Sequence, residues 1–251
     1  MKRILTLALL ACTMSTQAFG AQVVTVTPSN PPSGEAQSPA PFTYRGTTGS
    51  RTQQVYSASF FGVAQSISGI AFRSTPGFFR NGATYDNVSI NLSTTSFGDE
   101  SGTPLSANFS TNIGADAVNV FNGALSFAAP TTNGFEYIIN FTQAFAYDPS
   151  KGNLLLDVAI PVGSMVGGPG FFLASYDTAN RENDGVYSVD ALFDGSATSG
   201  VTSTAGAITQ FTGTTLASAV PEPASWAMML IGFGGVGYAM RRNRKAAVSF
   251  S

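Results

Sequence analysis

Short segments in which apolar and polar residues alternate constrain the fold of this chain more than any other feature. Residues 87–95 read NVSINLSTT and residues 135–141 read FEYIINF. In both segments, nearly every second side chain is apolar. A period of two is typical of a β-strand that buries one face. Residues 118–127 and 153–160 are further predicted strands. Turn-forming pairs such as Asn122-Gly123 and Asp184-Gly185 occur among segments of this kind. We therefore predict an all-β chain, folded as an antiparallel β-sandwich or jelly roll.

The first twenty residues have a different pattern. Lys2 and Arg3 precede an apolar run over residues 4–14, and Ala18-Phe19-Gly20 supplies small residues at the positions that a signal peptidase reads. This order is that of a secretory signal peptide. We predict a signal peptide at residues 1–20, with cleavage between Gly20 and Ala21.

Two residue types are almost missing. Histidine is absent, and the only cysteine is Cys12, inside the predicted signal peptide. The exported chain then has no disulfide, no cysteine nucleophile, no Ser-His-Asp triad and no imidazole or thiolate metal site. Leu9-Leu10-Ala11-Cys12 loosely resembles a lipoprotein signal, so lipidation at Cys12 stays an alternative.

Charge also excludes a class of partner. Residues 21–220 contain six basic and thirteen acidic residues, a net charge of −7. A domain of this charge repels a phosphate backbone, so we expect no binding to nucleic acid.

The last part of the chain has three consecutive features. Pro221, Glu222 and Pro223 form a stiff, extended site, because each proline restricts its own φ and the residue before it. Residues 224–240 carry no charge and would span roughly 25 Å as a helix, near the lower limit for crossing a bilayer. A basic cluster follows, typical of the cytoplasmic side of a membrane helix: Arg241, Arg242, Arg244 and Lys245.

The segment PEPASWAMMLIGFGGVGYAMRRNRK resembles the PEP-CTERM sorting signal, in the variant with a Trp-Ala pair, here Trp226-Ala227. The resemblance implies that an exosortase, an integral-membrane transpeptidase, recognises Pro221, Glu222 and Pro223 and removes the residues from 224 onward. It also links the chain to exopolysaccharide production and biofilm formation. An ordinary C-terminal transmembrane anchor is the alternative interpretation of this segment.

These features divide the chain into consecutive parts. We predict a signal peptide at 1–20, a Pro/Ser/Thr-rich lead-in at 21–42 with a first edge strand at 23–27, the β-sandwich ectodomain at 43–215, a linker with the PEP motif at 216–223, a single transmembrane helix at 224–240 and a basic cytoplasmic tail at 241–251, with the sorting signal itself at 219–245.

The densest acidic stretch is a candidate calcium site. Clustered carboxylates on loops are the ligands that calcium prefers, although the EF-hand order of residues is missing. Turn formation by Asp and Asn is the alternative explanation, above all where Asp184 precedes Gly185. The five acidic residues are Asp177, Glu182, Asp184, Asp190 and Asp194.

We interpret the chain as a non-enzymatic protein of the cell surface or extracellular matrix. It would be exported, held briefly at the inner membrane through its C-terminal helix, and processed by exosortase, with an exopolysaccharide or surface glycan as a further partner and no required cofactor. A calcium-assisted glycan-binding module is the first alternative. A secreted hydrolase with two catalytic carboxylates is the second, but Asp99-Glu100, Glu136 and Asp157 do not specify the separation that such catalysis needs.

Overall fold

The computed structural model describes residues 20–27, 36–38, 40–42, 48–74, 82–98, 105–132, 134–167, 176–180, 184–216 and 223–246. The chain divides into two compact units. One runs from Gly20 to Leu216, and the other consists of the residues on either side of it.

The Gly20–Leu216 unit is built from antiparallel strands. Its described residues form one short α-helix, α1 (Phe109–Asn112), two 3-10 helices (Ala58–Phe60 and Pro149–Lys151) and fourteen strands. The strands are β1 (Gln22–Thr27), β2 (Ala36–Ser38), β3 (Ser50–Tyr56), β4 (Gln65–Phe72), β5 (Ala83–Thr95), β6 (Val118–Phe127), β7 (Tyr137–Tyr147), β8 (Asn153–Ile160), β9 (Met165–Gly167), β10 (Tyr176–Asn180), β11 (Val186–Leu192), β12 (Val201–Ser203), β13 (Ala205–Ala207) and β14 (Thr209–Thr215).

These strands form three sheets. The four-stranded sheet has the order β1-β14-β4-β7, and the seven-stranded sheet has the order β12-β11-β3-β8-β5-β6, with β9 pairing with β5 as well. A third, three-stranded sheet has the order β13-β10-β2. The first and last strands of the unit, β1 and β14, are therefore neighbours.

The main core lies between the four-stranded and seven-stranded sheets. It contains the inward side chains of both sheets, as the alternation predicts, together with aromatic rings that meet edge to face. Phe61 illustrates this packing, with ring centroids 4.9 Å from Tyr147 and 5.5 Å from Phe211. The predicted all-β sandwich is confirmed.

The seven-stranded sheet is also covered on its outer face. Val55 and Leu155 on that face are buried against Leu105 and Phe109, which belong to the segment 105–114. Gln53 donates a hydrogen bond to the Phe109 carbonyl oxygen at 3.0 Å. Because both faces of its central strands are buried, these strands carry few exposed side chains.

A charged pair ties this outer layer to the sheet. Arg51 on β3 donates two hydrogen bonds to Asp157 on β8, at 3.1 and 2.8 Å. The guanidinium carbon also lies 4.8 Å from the centre of the Phe109 ring. The Asp157 side chain is only 4% exposed, so the pairing with Arg51 compensates its loss of hydration.

An irregularity in β7 brings the edges of the two large sheets together. Residues 141–144 of β7 have only Ser68 opposite them on β4, because the register shifts between Ile67 and Gly69. The extra residues bulge toward β6, where the Thr142 hydroxyl donates to the Val120 carbonyl oxygen at 3.0 Å. Such a bulge bends a strand away from its partner.

Sequence patterns predicted some elements well and others only in part. The segments 118–127 and 153–160 are strands with the predicted bounds. The predicted turn at Asn122-Gly123 is wrong, because both residues pair with β5 inside β6. The predicted lead-in at 21–42 contributes strand β1 and the fully buried Phe42 to the unit, which therefore starts earlier than residue 43. Glu136, predicted within a strand, lies just before β7.

The outer layer should contribute strongly to stability. We expect Phe109→Ala to lower the free energy of unfolding by about 3–4 kcal/mol, because it removes a buried ring and leaves a cavity. Chemical denaturation of the exported domain measures this change. The matched control Ile113→Ala, at a side chain that is 36% exposed, should cost under about 1 kcal/mol. Equal losses in the two variants would contradict the assigned packing.

Candidate functional site

The segment that follows the β-domain contains a long helix, α2 (Pro223–Ala246). Proline suits the first position of a helix, because its fixed φ matches and its missing N–H has no partner there in any case. The four consecutive side chains from Met228 to Ile231 are 54–72% exposed. Since four residues complete a turn, α2 presents apolar side chains in every direction. A helix of this kind requires an apolar environment or partner.

The predicted transmembrane helix at 224–240 is not confirmed by the structure. Within the described ranges, no helix combines the length and the apolar character needed to cross a membrane. The physical reason is composition, because the seventeen uncharged residues from Ala224 to Met240 include four glycines, a serine, a tryptophan and a tyrosine, and a proline and an arginine adjoin them.

The residues of the sorting motif are only partly described. Pro221 and Glu222 lie outside the described residues, and Pro223 begins α2. Ala227 and Arg241 are exposed in the helix. For four other predicted residues the structure describes the backbone as helical and not the side chain: Trp226, Arg242, Arg244 and Lys245.

The predicted signal-peptide cleavage site lies at the very start of the β-domain. Residues 1–19 lie outside the described chain, while Gly20 and Ala21 immediately precede β1. The Ala21 N–H donates to the Thr215 hydroxyl at 3.0 Å, and the Thr215 N–H donates to the Ala21 carbonyl oxygen at 2.8 Å. Ala21 is therefore the first residue bound into the ladder between β1 and β14.

Two of the five predicted calcium ligands form turns. One carboxylate oxygen of Asp184 accepts the Val186 N–H at 3.0 Å, with Gly185 at a φ of 81° between them. Asp194 likewise accepts the N–H and the hydroxyl of Ser196, at 3.0 and 2.7 Å. These are Asx turns, in which the side chain bonds to the backbone two residues later.

Asp190 has a different environment. It lies on β11 directly opposite Thr52 on β3, and its carboxylate accepts the Ser188 hydroxyl at 2.9 Å. Burial raises the pKa of Asp190 above its ordinary value of 3.8, and the Thr52 and Ser188 hydroxyls oppose this shift in part. Thr52 lies beside the carboxylate, although no hydrogen bond of ordinary geometry joins its hydroxyl to any described group.

Asp190 also lines two neighbouring hollows. One is a small cavity of about 80 Å³, shared with Gln54 and Ser203. The other is an open groove of about 620 Å³ between β11, β12 and the loop that carries Asp194. The alternation of residues 186–192 places Asp190 on the same face as Val186 and so signals its burial, but it does not reveal the groove.

The predicted calcium set does not come together in the described part of the chain. There, no three acidic residues are close enough to hold a metal ion. Glu182 and the side chain of Asp177 lie outside what the structure describes. The five-residue set therefore stays a prediction.

The two described carboxylates considered for a hydrolase have structural partners. Asp157 is paired with Arg51, as described above. Glu136 accepts the N–H and hydroxyl groups of Thr131 and Thr132, which close the loop between β6 and β7. These hydrogen bonds hold the pKa of Glu136 below its ordinary value. Asp99 and Glu100 lie outside the described residues.

The arrangement defines a class of protein, an all-β domain joined to a sorting segment that contains an apolar helix. A family model described as the PEP-CTERM protein-sorting motif matches residues 219–245. The chain therefore carries a PEP-CTERM sorting motif, the signal of exported proteins that an exosortase sorts. No curated protein and no solved structure matches this chain.

Asp190, whose pKa is raised, and Asp194, whose pKa is lowered, should affect the stability of the domain with opposite dependence on pH. The folded state binds the proton of Asp190 more tightly than the unfolded state does, so this residue lowers stability as pH rises above 3.8. We expect Asp190→Asn to gain stability relative to the wild type as pH rises from that value toward 7. Urea denaturation at a series of pH values measures this difference.

Asp194 provides the comparison of opposite sign. Its hydrogen bonds from Ser196 lower its pKa, so its contribution is present above 3.8 and is lost as pH falls through the folded-state value. Asp194→Asn should be less stable than the wild type at pH 7, and the difference should vanish in acid. Identical pH profiles for the two variants would contradict the assignments.

Proposed function

We propose that this protein is a non-enzymatic component of the cell surface or extracellular matrix. In this proposal a signal peptidase removes residues 1–20, and an exosortase then processes the chain at Pro221, Glu222 and Pro223. The observation that carries the proposal is the match of residues 219–245 to the PEP-CTERM protein-sorting motif. The final location would be the cell surface or the medium around the cell.

The packing and the surface of the domain support a structural role. The central strands β3 and β8 of the seven-stranded sheet are buried on both faces, so the domain is well suited to persist outside the cell without disulfides. Some of its exposed polar side chains form hydrogen bonds with one another. The Asn119 side-chain amide, for example, donates to Ser89 and Asn91 across β5 and β6 at 3.0 and 2.9 Å. Amide and hydroxyl groups of this kind are compatible with a hydrated polysaccharide matrix.

The second candidate function is a glycan-binding module, and the groove beside Asp190 favours it. The groove volume of about 620 Å³ lies in the usual range for small-ligand sites. Its lining provides the carboxylates of Asp190 and Asp194 and the hydroxyls of Ser199 and Ser203 as partners for sugar hydroxyls.

Calorimetry separates the two candidates. The mature protein would be titrated with exopolysaccharide fragments from the producing cells, with and without calcium chloride. Heat that disappears in Asp190→Asn and persists in the exposed control Asp148→Asn would support the binding module. Heat only in calcium would point to the five predicted acids, whereas no heat in either condition is expected of a structural component.

The sorting proposal predicts a defined molecular mass. In cells with an exosortase, mass spectrometry of the exported protein should find an N-terminus at Ala21 and a C-terminus near Pro221–Pro223. Glu222→Gln removes the only charge of the recognition element, so we expect unprocessed chain to accumulate at least about tenfold, as for the loss of one charged recognition contact.

The control for this experiment is Asp86→Asn, at an exposed carboxylate on β5. It should be processed like the wild type. An intact chain through Ser251 in cells that contain the enzyme would refute the proposal.

A further inference from the structure

Strand β1 forms one edge of the four-stranded sheet. It pairs with β14 over residues 22–27, and β14 is its only partner among the described strands. The strand at the opposite edge, β7, is bulged toward β6, whereas β1 keeps an unbroken register with its neighbour. Natural proteins protect sheet edges from further pairing with charges, proline or bulges. The sequence of β1, QVVTVT, contains no charge and no proline.

The hydrogen bonds of β14 show which backbone groups of β1 point to the open side. The Thr215 N–H donates to the Ala21 carbonyl oxygen at 2.8 Å, so these directly opposite residues are a hydrogen-bonded pair. Such pairs alternate with non-bonded pairs along an antiparallel ladder. Alternate residues of β1 therefore direct their N–H and C=O groups away from β14. They are Gln22, Val24 and Val26.

The side chains of the same three residues lie on the outer face of the sheet. Gln22 is exposed, Val24 is 52% exposed and Val26 is partly buried, whereas Thr25 and Thr27 between and beside them are buried. A strand added beside β1 would thus meet outward backbone donors and acceptors together with a row of uncharged side chains. Strands with β-branched residues and no charge are well suited to such pairing.

We infer that β1 is a dimerisation edge, to which a second copy of this chain adds its own β1 in antiparallel orientation. A two-fold axis at Val24 places this residue opposite the partner's Val24, and Gln22 opposite the partner's Val26. In this register every outward residue of both strands is bonded, because each opposed pair exchanges two N–H···O bonds. The four-stranded sheets of the two copies become one continuous sheet.

The symmetry of β1 favours a second copy over any other occupant. Its outward residues are evenly spaced about Val24, so the strand is complementary to itself under a two-fold rotation, as an isologous interface requires. Residues 21–220 have a net charge of −7, but β1 contributes none of it, and like charges do not meet at the proposed contact. Paired valines at the axis add a favourable cross-strand contact.

The test measures self-association of the exported protein, in a detergent that covers α2 where this helix is still attached. Analytical ultracentrifugation over a range of protein concentrations should show a monomer–dimer equilibrium. Val24→Lys places two ammonium groups opposite each other at the axis. Val24→Pro removes the outward N–H and leaves the bonds to β14 in place. Each variant should raise the dissociation constant at least about tenfold.

Ile138→Lys is the matched control for the added charge. Ile138 is 58% exposed and lies on β7, at the other edge of the same sheet. This variant should dimerise like the wild type. Thermal unfolding of all variants, followed by circular dichroism, verifies that each domain is folded, as the exposure of both positions predicts.

Cysteine substitutions test the register independently of affinity. They are made in a Cys12→Ser background, which removes the only natural cysteine. Val24→Cys should form a disulfide-linked dimer, because directly opposite residues of this kind have Cα atoms about 5.5 Å apart, within the reach of a disulfide. Val26→Cys should not link to its own copy, since four residues along the strand separate the two by about 14 Å.

Three outcomes would overturn the inference. The first is a wild-type protein that stays monomeric at every concentration. The second is a dimer that both Val24→Lys and Val24→Pro leave intact, which would assign the contact to another surface. The third is disulfide formation in Val26→Cys as fast as in Val24→Cys, which would exclude the two-fold pairing about Val24.

Discussion

The structure depends above all on the position of β14 between β1 and β4. Through this strand the first and last residues of the domain are bound to each other, with Val24 opposite Thr212 across the sheet. Contacts between residues so distant in sequence form late, because the entropy of closing a long loop opposes them. The four-stranded sheet, and with it one wall of the main core, is therefore complete only when nearly the whole domain is available.

The seven-stranded sheet gives the domain its second constraint, because both faces of its central strands β3 and β8 are buried. Polar side chains on its central strands then need partners. Gln54 exchanges two hydrogen bonds with the backbone of Ala207, and Gln53 accepts the Asn112 side-chain amide while it donates to the Phe109 carbonyl oxygen. Such fully satisfied polar groups restrict the sheet to one register. A stable domain without disulfides follows from this packing.

The two units place different demands on their surroundings. The β-domain buries most of its large apolar side chains in its own core. The helix α2, in contrast, exposes Met228, Leu230, Phe233 and other large apolar side chains. An exposed apolar surface of this extent marks a segment that another molecule covers. The match to the PEP-CTERM motif over residues 219–245 shows that this helix lies within a sorting signal, which implies an exosortase as the processing partner.

The sequence by itself determined the all-β class, the bounds of β6 and β8 and the sorting motif, because a period of two and a Pro-flanked acid are local signals. Only the tertiary structure decided that residues 22–27 pair with β14 and that Phe42 is buried. The same holds for the pairing of Asp157 with Arg51 and for the partial burial of Asp190 on β11. Pairing between distant strands settles these points, and residue type alone does not encode the partner. The C-terminal segment shows the converse limit, because its apolar run predicted a membrane span, whereas no helix in the described part of the chain combines the length and the apolar character for one.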